Sequence, residues 1–184
     1  MFGLLSLGII LGYAFIMMLG KVTKFEPNDS WPGSLLDIIK VGLPVAITEE
    51  FLFRFILLQV ILFGFFKLDI LTASIFTSLI FAGAHFWWGM HKNALHMIEL
   101  FIGLFIFSMI TCKLVFVFPV LVIGKYVYGW QNVLWHAGAI YGVQLTSSLF
   151  TKEVDSDWPL WDESHALLRA IPMWLILAYV LIKI

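Results

Sequence analysis

The sequence predicts an all-α fold, a polytopic bundle of about seven transmembrane helices around a buried polar cavity, and three observations predict it. Of its 184 residues, 61% are hydrophobic and only 12% charged, against about 45–50% and roughly 25% in soluble domains. Apolar stretches of about 20 residues, the length that crosses a bilayer, follow one another with polar loops between them. A few charged side chains stand inside those stretches. Each costs about 2.5–3.5 kcal/mol to insert, which confines it to a bundle interior or a water-filled cavity. The net charge of −1 and the lack of a basic run offer nothing to a nucleic acid. The partner expected on these grounds is the lipid bilayer.

The first span is Phe2–Gly20. It has no basic residue ahead of its apolar run, as a cleaved signal would, so it reads as a retained helix. Lys21–Gly33 is a polar loop. Leu35 to Phe66 is too long for one upright helix at about 1.5 Å per residue. Gly42 and Pro44 divide it into a short interfacial piece and a second span, Val45–Phe66. Lys67 and Asp69 turn the chain into a third span, Ile70–Trp88, and Gly89–Asn93 forms the next loop. Leu95–Thr111 is the fourth span. After a tight junction at Lys113, the short Leu114–Tyr128, which holds Pro119, is the fifth. Trp130–Phe150 is the sixth. Thr151–Ser164 sets five acidic residues against one lysine and reads as solvated loop. Leu167–Ile182 is the seventh, anchored by Lys183. Trp87, Trp88, Trp130, Trp158 and Trp161 fall near span ends, as interfacial belts do. No repeat or soluble module appears, so residues 1–184 read as a single membrane-embedded domain with a core over 43–142.

Lys21, Lys24, Lys92, Lys125 and Lys183 fall on one side of this topology, against Lys67, Lys113, Lys152 and Arg169 on the other. The positive-inside rule makes the first side cytoplasmic, in an inner membrane. The lone Cys112 allows neither an intrachain disulfide nor a multi-cysteine metal site.

The informative charges are Glu49, Glu50 and Arg54, near the start of the second span. Glu50 and Arg54 are i and i+4, share a helix face and can pair. That leaves Glu49, turned 100° away, to point elsewhere. The bland alternative is an ion pair that only joins helices. Phe81 and His85, also i and i+4, stand near the end of the third span, where the ring can pack under the imidazole. Asn132 and His136 open the sixth. A lone buried histidine more often packs than catalyses. In the seven-span topology, however, all three polar positions fall towards one side of the bundle.

A glutamate and two histidines in an enclosed cavity can hold and activate water. Glu49 would act as general base, and a histidine would orient the water or donate to a developing oxyanion. Peptide-bond hydrolysis is the simplest reaction that needs this set, with Glu49, His85 and His136 as catalytic residues and Glu50, Arg54, Asn132 and Phe81 in support. No metal or other cofactor is called for. There is no His-Glu-x-x-His zinc helix, no Gly-x-Gly-Asp signature and no Gly-x-Ser-x-Gly elbow. His96 and Glu99, i and i+3 on the fourth span, supply one copy of a pattern that a di-iron bundle needs twice. They read as a pair lining the interior near the interface.

Glu49-Glu50-x-x-x-Arg54, then Phe81-x-x-x-His85, then His136 with Ile140 four residues later, resembles the CPBP family. These are the CAAX proteases and bacteriocin-processing enzymes, also called Abi proteins, and they include the type II CAAX prenyl endopeptidases. The resemblance covers Leu43 to Gly142. It implies an all-helical glutamate-type intramembrane endopeptidase in which Glu49 activates water, His85 holds it, Glu50 and Arg54 shape the site, and His136 stabilises the oxyanion. Many members carry Asn where this chain has Ile140, so either Asn132 supplies a further donor or His136 acts alone. The substrate implied is a membrane-associated protein or peptide cut at a sorting tail, a leader or a CAAX-like end. Two other readings stay open: a non-catalytic binding or immunity protein of the same fold, and a small ion or proton-coupled transporter. A transporter often shows inverted repeats, and none is visible here.

Overall fold

The computed structural model describes residues 2–19, 23–27, 40, 42–85, 94–119, 121–123, 126–152 and 166–184. Six helices account for most of them. They are α1 (Phe2–Leu19), α2 (Leu43–Glu50 continuing as Phe51–Phe65), α3 (Ile70–Ala84), α4 (Ala94–Val117), α5 (Trp130–Leu149) and α6 (Ala166–Lys183). Short strands β1 (Thr23–Phe25), β2 (Leu121–Ile123), β3 (Tyr126–Tyr128) and β4 (Phe150–Lys152) pair antiparallel as β1–β4 and β2–β3. The fold is all-α, with these two ribbons as its only sheet among the described residues.

Local chemistry sets the element ends. Pro44 sits in the first turn of α2, where its missing N–H leaves no bond unmade. Beyond Glu50, α2 continues in wider i→i+5 turns, closed where the Phe66 N–H donates to Ile61 O at 2.9 Å. Gln59 Nε2 suits this winding by donating to Arg54 O, five residues back, at 3.0 Å. Asp69 caps α3 by accepting from the Thr72 N–H at 3.0 Å, which holds its carboxyl below the usual range.

One sequence expectation fails here. Lys113 does not turn the chain, because α4 runs straight through it to Val117. Its ammonium lies along the bundle and donates to Leu181 O at 2.8 Å, so the charge is satisfied without a loop. Pro119 follows two residues after the helix ends, as a residue with no N–H commonly does. The expected fifth span is therefore the last turn of α4 plus the β2–β3 hairpin. Gln59 holds that hairpin like a neighbouring strand: its Nε2 donates to Val127 O at 2.6 Å and its Oε1 accepts from Val127 N at 2.7 Å.

With α4 continuous through Lys113, the expected direction of the helix that carries His136 reverses. Gly42 meets Tyr141, Ala46 clusters with Ala137, and Glu50 bonds Asn132, so α2 and α5 are antiparallel. Gly3 meets Leu134, and Ile10 meets Gly142, so α1 and α5 are parallel. The closest packing in the bundle is here: a Cβ on Gly138 would overlap the Gly3 carbonyl and the Ser6 hydroxyl. Small residues at such a contact are what let helices approach in lipid.

The bundle buries a polar cluster beside its apolar core and leaves large apolar side chains on its surface. Glu50, Arg54, Gln59, Thr77, Ser78, Ser108, Thr111 and Asn132 are all buried, while Leu4, Phe65, Leu71, Leu175 and Ile182 are exposed. By length and composition, Met97–Val117 is the one described helix long and apolar enough to cross a membrane, with shorter apolar helices at Phe2–Ile16, Ile70–Ala84 and Ala170–Lys183. The interfacial piece expected from Leu35, the loop Gly89–Asn93, most of Thr151–Ser164, and Trp87, Trp88, Trp158 and Trp161 lie outside the described residues.

Candidate active site

Glu50 is the centre of the buried polar cluster. Its side chain has no solvent exposure, and three donors engage its two oxygens. Arg54 Nε stands 3.3 Å from Oε2, Asn132 Nδ2 donates to Oε2 at 2.9 Å, and His136 Nδ1 lies 2.8 Å from Oε1. Breaking such a buried pair by removing one partner typically costs about 3–5 kcal/mol, so the cluster fixes how α2 and α5 meet.

Arg54 is anchored in turn by α4. Its Nη2 donates to Ser108 Oγ at 2.9 Å and to Thr111 Oγ1. Its guanidinium also lies over the Phe81 ring, 4.5 Å from the centroid. Sequence reasoning placed Arg54 but missed Ser108 and Thr111. The available signal was two hydroxyls one turn apart in an otherwise apolar helix, where buried donors and acceptors need partners.

His85 ends α3, with Nδ1 2.7 Å from Phe81 O. A carbonyl only accepts, so Nδ1 carries the proton, and Nε2 of the neutral ring presents a lone pair. The Phe81 ring packs against this imidazole at 4.4 Å and meets His136 edge-on at 5.7 Å. The same logic applies to His136. Its Nδ1–H donates to the Glu50 carboxylate, which leaves Nε2 facing the other way.

Both Nε2 atoms face Glu49. Its Oε2 lies 3.7 Å from His85 Nε2 and 3.6 Å from His136 Nε2, and this oxygen is buried without a hydrogen-bond partner. The carboxylate oxygen and the two imidazole nitrogens thus converge at separations too long for direct hydrogen bonds and suited to a shared partner between them. A water molecule is the smallest species that supplies one, and an apolar cavity with a few convergent polar groups is where it would sit. Among the described residues, no group of three or more His, Cys, Asp or Glu side chains is set to hold a metal ion.

The cavity in front of this cluster has a volume of about 750 Å³. Glu49, Phe81, His85 and His136 form one end, and Ile9, Tyr13, Phe107, Trp135, Met173 and Trp174 form much of its apolar wall. Of the sequence-named residues, the structure brings Glu49, His85 and His136 to one point and sets Glu50, Arg54 and Phe81 behind them. Asn132 turns its amide to Glu50 and does not line the cavity. Ile140 lines the cavity as an apolar wall. Glu99 lines it too, while the side chain of His96 is not among those described.

A family model described as type II CAAX prenyl endopeptidase Rce1-like matches residues 31–144, which hold every residue of the polar cluster. Comparison with curated proteins gave no significant match, and comparison with solved structures gave none.

Proposed function

The chain belongs to the type II CAAX prenyl endopeptidase Rce1-like family, a family of integral membrane proteases, and from that premise we propose that it is a glutamate-type intramembrane endopeptidase. Residues 1–184 form its single domain and 43–142 its catalytic core. The observation that carries this reading is the convergence of Glu49 Oε2 and two imidazole Nε2 atoms on one buried point. Water held there donates one proton towards Glu49 and the other towards His85. Glu49 takes a proton as the water oxygen attacks the substrate carbonyl carbon, and the C–N bond breaks once that proton reaches the amine. His136 Nε2 donates to the oxyanion once this ring has taken up a second proton from solvent, so the ring enters the step as the imidazolium. Glu50 behind Nδ1 offsets the charge this ring takes on, as a carboxylate behind a histidine does in other hydrolases. General acid–base catalysis of this kind is worth about 10²–10⁴ in rate.

The large apolar side chains exposed along its helices and the polar cluster buried among them support a bundle in lipid whose six described helices alternate in direction. It places Lys24, Lys40, Lys152 and Arg169 at the end where α2 begins, against Lys67, Lys113 and Lys183 at the other. The first end is then cytoplasmic by the positive-inside rule. The substrate class is a membrane-associated protein or peptide whose cleavable segment reaches the cavity from the bilayer.

The test is cleavage of membrane-anchored peptides by the purified chain in proteoliposomes, read by mass spectrometry. We expect product from the native chain and a loss of about 10²–10⁴ in rate with Glu49→Gln. Equal rates for the two would remove the general base and favour a binding role for the cavity.

A further inference from the structure

A peptide that enters the cavity leaves water behind, and each of its main-chain carbonyls then needs a donor from the wall. That wall offers few. The Ser6 hydroxyl is spent on Trp135 O at 2.7 Å, and Trp135 Nε1, although unpartnered, is fully buried. Tyr13, Glu99 and Gln144 each already have an interaction within the protein. Trp174 differs. It lines the cavity half-buried from α6, and its Nε1–H has no partner among the described residues and is not sealed off.

Gly103 keeps that N–H open. A Cβ on this glycine of α4 would meet only Trp174 Nε1, at 3.7 Å, so the indole nitrogen lies over the gap that glycine leaves. Gly103 itself lines the cavity, one turn along α4 from Phe107. The Phe107 ring stands 5.5 Å from the His136 ring, so this face of α4 leads from the indole to the catalytic cluster. Four residues at about 1.5 Å each make that step ~6 Å along the axis. An extended peptide rises about 3.3 Å per residue, so the step covers two residues, and carbonyls two residues apart point the same way. Among the described residues lining the cavity, no lysine or arginine appears. A neutral carbonyl therefore suits the indole, whereas a carboxylate there would lie uncompensated.

We propose that Trp174 is a substrate-positioning residue whose indole N–H binds the main-chain carbonyl two residues from the scissile bond. This rests on the proteolytic reading, so the experiment reads binding and cleavage separately. Full-length Glu49→Gln protein in detergent is titrated with fluorescent apolar decapeptides in which an alkene replaces one peptide bond at a time. Matched esters, which lose the N–H and keep a carbonyl, serve as controls. At one position the alkene should weaken Kd about tenfold against its ester. Adding Trp174→Phe, which keeps an aromatic ring and removes the donor, should weaken the all-amide peptide about tenfold and bring that alkene-to-ester ratio to about one. Gly103→Val, whose methyls reach past the tolerated Cβ to cover the nitrogen, should do the same with the indole intact. In the chain that keeps Glu49, the loss on Trp174→Phe should fall mainly on KM, and the sensitive carbonyl should map two residues from the cut. An alkene-to-ester ratio that survives Trp174→Phe gives the carbonyl another donor and overturns the inference, as does a loss that falls on kcat alone. Hydrolysis by the native chain, lost in Glu49→Gln, reports separately on the protease reading.

Discussion

Glu50 and Glu49 are neighbours with opposite surroundings, and that contrast organises the site. Glu50 has no exposure and is engaged by Arg54, Asn132 and His136, so it holds the structure and sets the tautomer of His136. Glu49 Oε2 faces the cavity with two imidazoles and no bonded donor. Removing charge from each should therefore do different things. Glu50→Gln leaves Arg54 without its carboxylate and frees the His136 ring, so we expect a loss of about 3–5 kcal/mol in stability together with activity. Thermal unfolding in detergent checks this. In a double-mutant cycle with Arg54→Met, the two changes should be strongly non-additive. Additive losses would mean the pair is not a unit. The i, i+4 spacing made the pair legible in the sequence, as did the freedom of Glu49. The partners Ser108 and Thr111 were not, because nothing local says which face of α4 will meet α2.

At the scale of elements, helix existence was readable from apolar length, and five of the helices fall close to the expected bounds. The failure at Lys113 has a physical cause. A charge within an apolar run looks like a loop, but a long lysine stem can carry its ammonium to a neighbouring carbonyl, here Leu181 O at 2.8 Å. The β2–β3 hairpin depends on Gln59, from a distant part of the chain, so its signal was not local. The α1–α5 contact depends on glycines whose role appears only once the two helices are paired. A side chain at Gly138 meets the Gly3 backbone, which cannot swing away as a flexible side chain would. Gly138→Leu should therefore separate α1 from α5 and cost about 1–3 kcal/mol or more. It should also lower activity, since Ile9 and Tyr13 of α1 line the cavity. Thermal unfolding and cleavage assays of this variant check both; native values for each would show that the contact is not close-packed.

For the whole molecule, Glu49, His85 and His136 meet even though the expected direction of the helix that carries His136 was wrong. His136 lies within α5 at the level where α5 crosses α2, so reversing the helix leaves its contact with Glu49 in place. Motif order carried the site; topology did not. The corrected bundle makes its own prediction. The six described helices, alternating in direction, put Lys67 and Lys183 at the same end of the bundle, whereas the seven expected spans would separate them. Single cysteines at these positions, in a Cys112→Ala background, should label from the same side of sealed proteoliposomes with a membrane-impermeant maleimide. Labelling from opposite sides would restore the extra span. Cavity walls from α1 and α6 lie outside residues 31–144. The polar cluster and much of the cavity wall thus come from residues 31–144, and α1 and α6 complete that wall.

A high-resolution structure of the lipid-embedded chain tests the central claim most directly. The account predicts an ordered water about 2.6–3.2 Å from Glu49 Oε2, His85 Nε2 and His136 Nε2 at once. Direct contact between Glu49 and either imidazole that leaves no space for water, or rotation of Glu49 out of the cavity, would contradict it.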